Sequence, residues 1–469
     1  MKVEQLYTKC LAQGAYYIES NGEAAVIDPL RDVDQYIKLA KQSNSKIKYI
    51  FETHFHADFV SGHLSLASLT GAQIVFGPKA DPSFDALIAS DNQVFKIGEV
   101  SLTVLHTPGH TLESTSFLLK DNHGNEHCIF TGDTLFLGDV GIPDVAQRYV
   151  GVSKEELAGI LYDSINLKIK PLPDDILVYP GHGAGSACGK NMMKETVDTL
   201  GNQKKLNYAL NGSLSKDTFI TQLTKNLPEP PTYFPLNVKL NQQGYKDLSV
   251  VIKNAKKSIF SHRFLSIAVE ENAVMLDLRS QKDFAKSHIP NSIFIGLDGG
   301  FAPWVGGILK NITKPILLIV DPKRIDEAII RLARVGFDNV IGYLEGGFEA
   351  WIEANLEVAK ISTISAHDFS ELVKDQEVEI YDVRNTTEFL SEHIVKAKNF
   401  PLLSIPEQTQ KILNNDEVYM HCAGGYRSII ANSILKSKGF HNIIDIEGGF
   451  SSIKKCNINI TDYVCPSEI

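Results

Sequence analysis

Along roughly the first half of the chain, apolar positions come in short runs separated by polar stretches, the pattern of buried or half-buried strands. Such runs lie at residues 24–27, 47–51, 73–76, 102–105, 116–119, 128–130 and 176–179. The histidines and aspartates able to do chemistry stand just after these runs. A rigid sheet positions side chains there, where loops leave its edge. Residues 187–210 are predicted helical. Leu227-Pro228-Glu229-Pro230-Pro231 then breaks regular structure and predicts a linker, with a boundary near residue 250.

The second half repeats itself. Leu276-Asp277-Leu278-Arg279, then Phe284, His288 and Ile289, recurs as Tyr381-Asp382-Val383-Arg384, then Phe389, His393 and Ile394, at an offset of about 105 residues. Gly336-Phe337 and Glu345-Gly346-Gly347-Phe348 likewise return as Gly439-Phe440 and Glu447-Gly448-Gly449-Phe450. Each copy alternates buried-strand runs (316–320, 418–421) with helical segments, which predicts a small α/β domain around a mostly parallel sheet. The expected domains are 1–245, 255–358 and 360–460, and 469 residues are enough for three cores.

Charge narrows the function. A formal net charge of −10 argues against a general nucleic-acid binder. No apolar run reaches the length of a membrane span, and Met1-Lys2-Val3-Glu4-Gln5 opens no signal-peptide core. Six scattered cysteines (Cys10, Cys128, Cys188, Cys422, Cys456, Cys465) form no CxxC pair, so a reducing cytoplasm is expected. Cys10 and Cys128 read as packing residues in strands, and Cys465 as exposed.

Four groups carry metal-site chemistry: Thr53-His54-Phe55-His56-Ala57-Asp58-Phe59, Thr107-Pro108-Gly109-His110, Thr131-Gly132-Asp133-Thr134 and Pro180-Gly181-His182-Gly183. A lone buried histidine is more often a satisfied core residue than a ligand. Four His/Asp groups at strand ends in one half-chain reverse that balance. These residues resemble the metallo-β-lactamase superfamily and, more narrowly, its persulfide dioxygenase branch, over roughly residues 1–240. The resemblance implies an αββα sandwich. It also implies a mononuclear Fe(II) held by His54, His110 and Asp133, with His56, Asp58 and His182 orienting ligands and water. The superfamily pattern ends His-x-His-x-Asp-His, and here Phe59 takes the last position, where it cannot hold a second metal. His56 and Asp58 could instead be remnants of an ancestral zinc site. Ile142 stands where relatives often carry an arginine for an anionic thiol, which argues against glutathione as the specific carrier. Arg148 is a candidate substitute. Cys188, read as opening a helix that would favour its thiolate, is a candidate for the substrate channel, though a small buried residue needs no function.

Near the C-terminal end, a buried strand at 418–421 runs into Cys422-Ala423-Gly424-Gly425-Tyr426-Arg427-Ser428, and a helix is expected to follow. Two glycines let the loop turn its N–H groups inward as an anion nest. The helix start and Arg427 add positive potential, which favours a Cys422 thiolate and then a persulfide. This resembles the active loop of a rhodanese, which makes Cys422 the sulfur acceptor and Arg427 its catalytic partner. The middle copy has Ile319 or Val320 opposite Cys422, followed by Asp321, and no cysteine lies between Cys188 and Cys422. It reads as a catalytically inactive rhodanese-like domain, a spacer or an interface for assembly of identical subunits. Asp277 with Arg279, and Asp382 with Arg384, read as fold-stabilising ion pairs.

The resemblances together imply sulfide detoxification. A low-molecular-weight thiol persulfide reacts as RSSH + O2 + H2O to RSH + sulfite, and Cys422 transfers sulfane sulfur, giving or using thiosulfate. Two competitors remain open. One is a glyoxalase II-type zinc thioester hydrolase on the same fold, against which Phe59 counts. The other is a non-catalytic sulfur carrier or sensor, against which the His54, His110 and Asp133 set counts.

Overall fold

The computed structural model describes residues 1–144, 151–227, 230–409 and 417–465. Arg148, and Pro228 and Glu229 of the expected linker, lie outside the described residues. The chain divides into two compact units, residues 1–251 with 330–337, and residues 252–329 with 338–469.

The first unit holds two six-stranded sheets. One runs Lys2–Thr8, Gln13–Ser20, Glu23–Ile27, Lys46–Glu52, Gln73–Phe76 and Leu87–Ile88 in spatial order. The other runs Asp198–Thr199, Leu177–Pro180, Glu126–Gly132, Thr115–Lys120, Val100–His106 and Val94–Ile97. Their inner faces meet in a core that includes Tyr16, Phe51, Phe95, Phe117 and Phe130. Helices Lys154–Ser164 and Lys216–Thr224 bury Leu161 and Phe219 against Leu118 and Ile129 of the second sheet. Helix His63–Thr70 lies along strand Lys46–Glu52 of the first sheet. Each sheet is thus covered by helices on its outer side, the expected αββα sandwich, and its strands read as apolar runs for that reason.

The predicted helix at 187–210 is mostly absent; only Leu200–Leu206 is helical. Tertiary hydrogen bonds capture the backbone ahead of it. The Asp139 carboxylate accepts from the N–H groups of Lys190 and Asn191, and the Cys188 carbonyl accepts from Ile142. A backbone already satisfied by another segment gains little from an isolated helical turn.

The second unit contains the same five-stranded sheet twice. Its first copy orders Ser258–Ile259, Val340–Leu344, Ile316–Ile319, Val274–Asp277 and Ile293–Phe294. Its second orders Ser362–Ile364, Ile443–Ile446, Val418–His421, Glu379–Asp382 and Lys398–Asn399. Every pairing is parallel. Asp277 pairs with Ile319 and Asp382 with His421, which makes Val320 the counterpart of Cys422. The repeated Asp/Arg pairs do the same work in both copies. Arg279 spans Asp277 and the Ser287 carbonyl, and Arg384 spans Asp382 and the Glu392 carbonyl. His288 and His393 each bind the carbonyl of Phe284 or Phe389 and stack on its ring. Among the described residues, no helix is long and apolar enough to cross a membrane.

Candidate metal centre and sulfur-transfer loop

Strand ends deliver the metal-site residues. His54 follows Lys46–Glu52, Asp133 follows Glu126–Gly132, His182 follows Leu177–Pro180, and His110 lies in the loop between Val100–His106 and Thr115–Lys120. Asp28 begins the orientation. Its two oxygens accept from the Thr53 N–H and hydroxyl, both at 2.8 Å. With its proton spent on Asp28, Thr53 Oγ1 can only accept from His54 Nδ1, 2.9 Å away. His110 Nδ1 faces the Ile142 carbonyl at 2.7 Å and must donate to it. Both rings therefore carry their proton on Nδ1 and present an Nε2 lone pair.

Those lone pairs converge on Asp133. Its Oδ2 lies 3.6 Å from His110 Nε2 and 3.9 Å from His54 Nε2. Asp133 Oδ2 is buried and has no hydrogen-bond partner among the described residues. An orphaned buried carboxylate oxygen facing two imidazole lone pairs fits one cation, which would satisfy all three. Small residues make the approach possible. A Cβ at Gly141 would stand 2.0 Å from the Asp133 carbonyl, and one at Gly181 2.5 Å from Asp133 Oδ1.

Burial lowers the pKa of both His54 and His110, which keeps them neutral and able to coordinate. Burial alone would raise Asp133, but His182, in charge and hydrogen bond, together with His54 and His110, holds its carboxyl far below the usual range. His182 lies between two carboxylates, with Nδ1 2.8 Å from Asp133 Oδ1 and Nε2 2.9 Å from Asp58 Oδ2. Although burial opposes its charge, these two partners raise its pKa well above the ordinary value. Asp58, His182 and Cys188 bring donor atoms within 4.8 Å of one another, a grouping the sequence reading did not consider. Both His182 nitrogens are already engaged there, so the ring offers no lone pair to a second ion.

His56 faces away from this set. Its Nε2 lies 3.1 Å from Asp28 Oδ1 and 3.5 Å from Glu52 Oε2, and its ring stacks on Phe59 at 4.3 Å. Phe59 is therefore a wall under His56. The expectation that Cys188 opens a helix and favours thiolate is overturned. It lies in irregular chain, 1% exposed, and burial together with Asp133 and Asp58 pushes its thiol pKa well up. Cys10 sits in the turn after Lys2–Thr8 rather than in a strand, and Cys465 is half-buried rather than exposed.

In the last module, strand Val418–His421 leads into Cys422, and helix Tyr426–Ser437 follows. Gly425 adopts φ +95°, open to glycine at little cost, and its N–H donates to Cys422 Sγ at 3.1 Å. The Ser428 hydroxyl lies 3.6 Å from the same sulfur. Arg427 is gripped by both Glu388 oxygens at 2.6 and 2.8 Å, which raise its pKa, and Cys422 adds to that rise, so its charge reaches the loop sulfur. Glu388 stands on the short helix Thr386–Ser391 of the same module. The middle copy departs where it matters. Val320 replaces the cysteine, and Asp321-Pro322-Lys323-Arg324 closes at once into a 3-10 turn capped by the Asp321 side chain.

Ser428, Asp445 and Glu388 were not singled out from the sequence. Ser428 directly follows the loop. Asp445 stands two residues before Glu447-Gly448-Gly449, where the middle copy has Tyr343, and that difference between the repeats was the available signal.

Residues 9–182 match the family described as Metallo-beta-lactamase superfamily, and residues 263–354 and 365–456 each match the Rhodanese-like domain. The chain is 32% identical to the Homo sapiens Persulfide dioxygenase ETHE1, mitochondrial, over 211 residues, 44% of this chain and 74% of that protein. It is 30% identical over 181 residues to the Arabidopsis thaliana cytoplasmic hydroxyacylglutathione hydrolase, 38% of this chain and 66% of that protein, just under two thirds of its length. A crystal structure of a metallo-beta-lactamase from Staphylococcus aureus subsp. aureus COL superposes with a TM-score of 0.64 at 34% identity, covering 73% of this chain and 98% of that one.

Proposed function

We propose, from the premise that this chain belongs to the metallo-beta-lactamase superfamily and carries two rhodanese-like domains behind that fold, that it is a persulfide dioxygenase joined to a sulfurtransferase. The observation that carries the reading is the donor set itself: two neutral imidazoles and one carboxylate oxygen facing a common point, with His182 tied to two carboxylates and Phe59 in the place of another ligand. Two histidines and one carboxylate leave open positions on one face, the arrangement of non-haem iron oxygenases. A ferrous ion bound there would supply the oxygen chemistry that the residues alone lack.

The protein's own part is positioning. Asp28 and Thr53 fix the His54 ring, Ile142 fixes His110, and His182 takes Asp133 Oδ1 so that Oδ2 is the oxygen presented. Such partners commonly change metal affinity about 10- to 100-fold when removed. Phe59 and Phe136, both buried, line the His182 side and keep water from it. The substrate is a low-molecular-weight thiol persulfide, consumed with O2 and water to give the thiol and sulfite.

Cys422 is the sulfur acceptor of the last module. Holding the two activities in one chain raises the local concentration of sulfite near Cys422 and allows thiosulfate to be made or used. This is a route of sulfide detoxification suited to a reducing cytoplasm.

The zinc thioester hydrolase reading draws on the hydroxyacylglutathione hydrolase relatives and is separable by experiment. Protein loaded with iron or with zinc is assayed against a glutathione thioester and against a persulfide. The proposal predicts persulfide turnover by the iron form alone and no thioester hydrolysis. Thioester hydrolysis by the zinc form, with no persulfide turnover, would overturn it.

A further inference from the structure

The two modules of the second unit together line a cavity of about 780 Å³ that the reading above leaves unused, a volume suited to a small molecule. Its cations and its carboxylates come from different parts of the chain. Lys282 and Lys286, one turn apart on helix Gln281–Lys286, belong to the middle module, and Lys360 to the segment that leads into the last. Asp445 and Glu447 stand in and just after strand Ile443–Ile446 of the last module. Opposite charges that share a cavity ordinarily close on one another. Here they do not: among the described residues Lys282, Lys286 and Lys360 make no ion pair. Asp445 is 3% exposed, and its Oδ1 has no hydrogen-bond partner among the described residues. Glu447 accepts from the Thr363 hydroxyl at 2.7 Å. A buried carboxylate without a counter-charge is costly, and burial, with Glu447 adding to it, pushes the Asp445 pKa up to about 7.

The internal repeat shows that the module fold itself asks for none of these charges. Lys282 and Lys286 correspond to Thr387 and Ser391 of the last module, and Asp445 corresponds to Tyr343 of the middle one. The lysines are thus peculiar to one copy and the buried carboxyl to the other, and the cavity is where they come together. The same cavity borders the sulfur-transfer loop. Gly425, whose N–H donates to Cys422 Sγ at 3.1 Å, forms part of its wall. Gln281 Nε2 lies 3.8 Å from where a Cβ on Gly425 would stand, and the Tyr426 hydroxyl donates to the Gly296 carbonyl at 2.8 Å. The middle module therefore reaches the loop of the last.

We infer that this cavity binds a zwitterion of the α-amino-acid type, its ammonium on Asp445 and Glu447 and its carboxylate on Lys282 and Lys286. A ligand carrying both charges satisfies both sets of side chains at once. A simple anion would face two carboxylates and a simple cation would face the lysines, so each leaves one set unpaired. A ligand seated against Gly425 rests on the residue that holds Cys422 Sγ, so its presence is felt at the sulfur. The middle module, which has Val320 in place of the thiol, thereby supplies half of a binding site instead of a nucleophile. The site goes beyond the sulfur-acceptor reading and does not depend on it. Two sources share the chemistry: a thiol that carries sulfur on an amino-acid or peptide body, and an amino acid that carries none.

The test uses the full, iron-loaded chain and titration calorimetry with S-methylcysteine, which carries both charges and can transfer no sulfur. Methylthiopropionate, which lacks the ammonium, and methylthioethylamine, which lacks the carboxylate, are titrated alongside. S-methylcysteine is expected to bind, with each half-charged analogue at least about fivefold weaker. Asp445→Asn should weaken its binding about tenfold. Lys282→Ala combined with Lys286→Ala, two exposed positions whose loss leaves the fold undisturbed, should weaken it about fivefold. Bound S-methylcysteine should also slow alkylation of Cys422 by iodoacetamide, read by peptide mass spectrometry, in the wild type and not in these variants. A KM for cysteine persulfide that rises in the lysine variant with kcat unchanged identifies the ligand as the sulfur carrier, and an unchanged KM identifies it as a free amino acid; both uphold the site. Absence of binding, equal binding of the three probes, or binding indifferent to both variants would overturn it, and alkylation untouched by bound S-methylcysteine would overturn its link to the loop. A chain that binds S-methylcysteine as expected yet accepts sulfur from no persulfide would keep the site and remove the sulfurtransferase reading instead.

Discussion

Asp133 divides its two oxygens between different tasks. His182 Nδ1 donates to Oδ1 at 2.8 Å, and Oδ2 is left facing His54 and His110. The division sets which oxygen is offered to a metal. His182→Asn, which keeps a donor but withdraws the bridge to Asp58, should leave the fold intact and weaken metal retention about 10- to 100-fold. Metal content after graded chelator treatment checks this, and unchanged retention would show that the bridge is idle.

Close packing around the same carboxylate predicts a second sensitivity. A Cβ at Gly141 meets the Asp133 carbonyl at 2.0 Å and His110 Nδ1 at 2.9 Å, and backbone cannot give way as a flexible side chain can. Gly141→Ala should lose most bound metal and destabilise the first unit by roughly 1–3 kcal/mol. Metal analysis and a denaturation midpoint decide it; a variant that retains both would contradict the geometry.

The repeat at about 105 residues was legible because the Asp/Arg pairs and the Gly-Gly corners are local motifs fixed by backbone geometry, and Asp277 and Asp382 indeed occupy equivalent strand ends. The seven strand runs were legible because sheets covered on both faces demand uninterrupted apolar residues. Strand ends gathered the four His/Asp groups in the sequence, and the choice of His54, His110 and Asp133 among them was what the family resemblance implied. What failed was decided by distant partners. Residues 187–199 lose their helix to Asp139 and Ile142. Neither pairing is implied by spacing along the chain.

The middle module is expected to accept no sulfur even when given a thiol. Val320 occupies the place of Cys422, but Pro322 has no N–H to offer, and Asp321 already caps the turn through Lys323. Val320→Cys in a Cys422→Ser background should therefore form no persulfide on incubation with a thiol persulfide. Mass spectrometry of that peptide checks it, and a mass gain of one sulfur at position 320 would show that the loop was competent after all.

Asp445 also links stability to pH. Its folded pKa, raised to about 7, lies above the unfolded carboxylate value, so the folded state binds the proton more tightly. No penalty exists while both states are protonated, below about pH 4. The cost grows as pH rises towards 7 and is constant above it, on the order of a few kcal/mol. Asp445→Asn removes this dependence, so its stability relative to wild type should improve from pH 5 to about pH 7 and level off above that. Melting curves across that range check the sign; an advantage that shrinks as pH rises would refute the assignment.

The most direct measurement is oxygen uptake by anaerobically purified, Fe(II)-loaded protein on addition of a panel of thiol persulfides, with sulfite assayed in the same samples. The account predicts uptake matched by sulfite, abolished in His110→Ala and retained in Cys422→Ser. No uptake with any persulfide, despite bound iron, would contradict it.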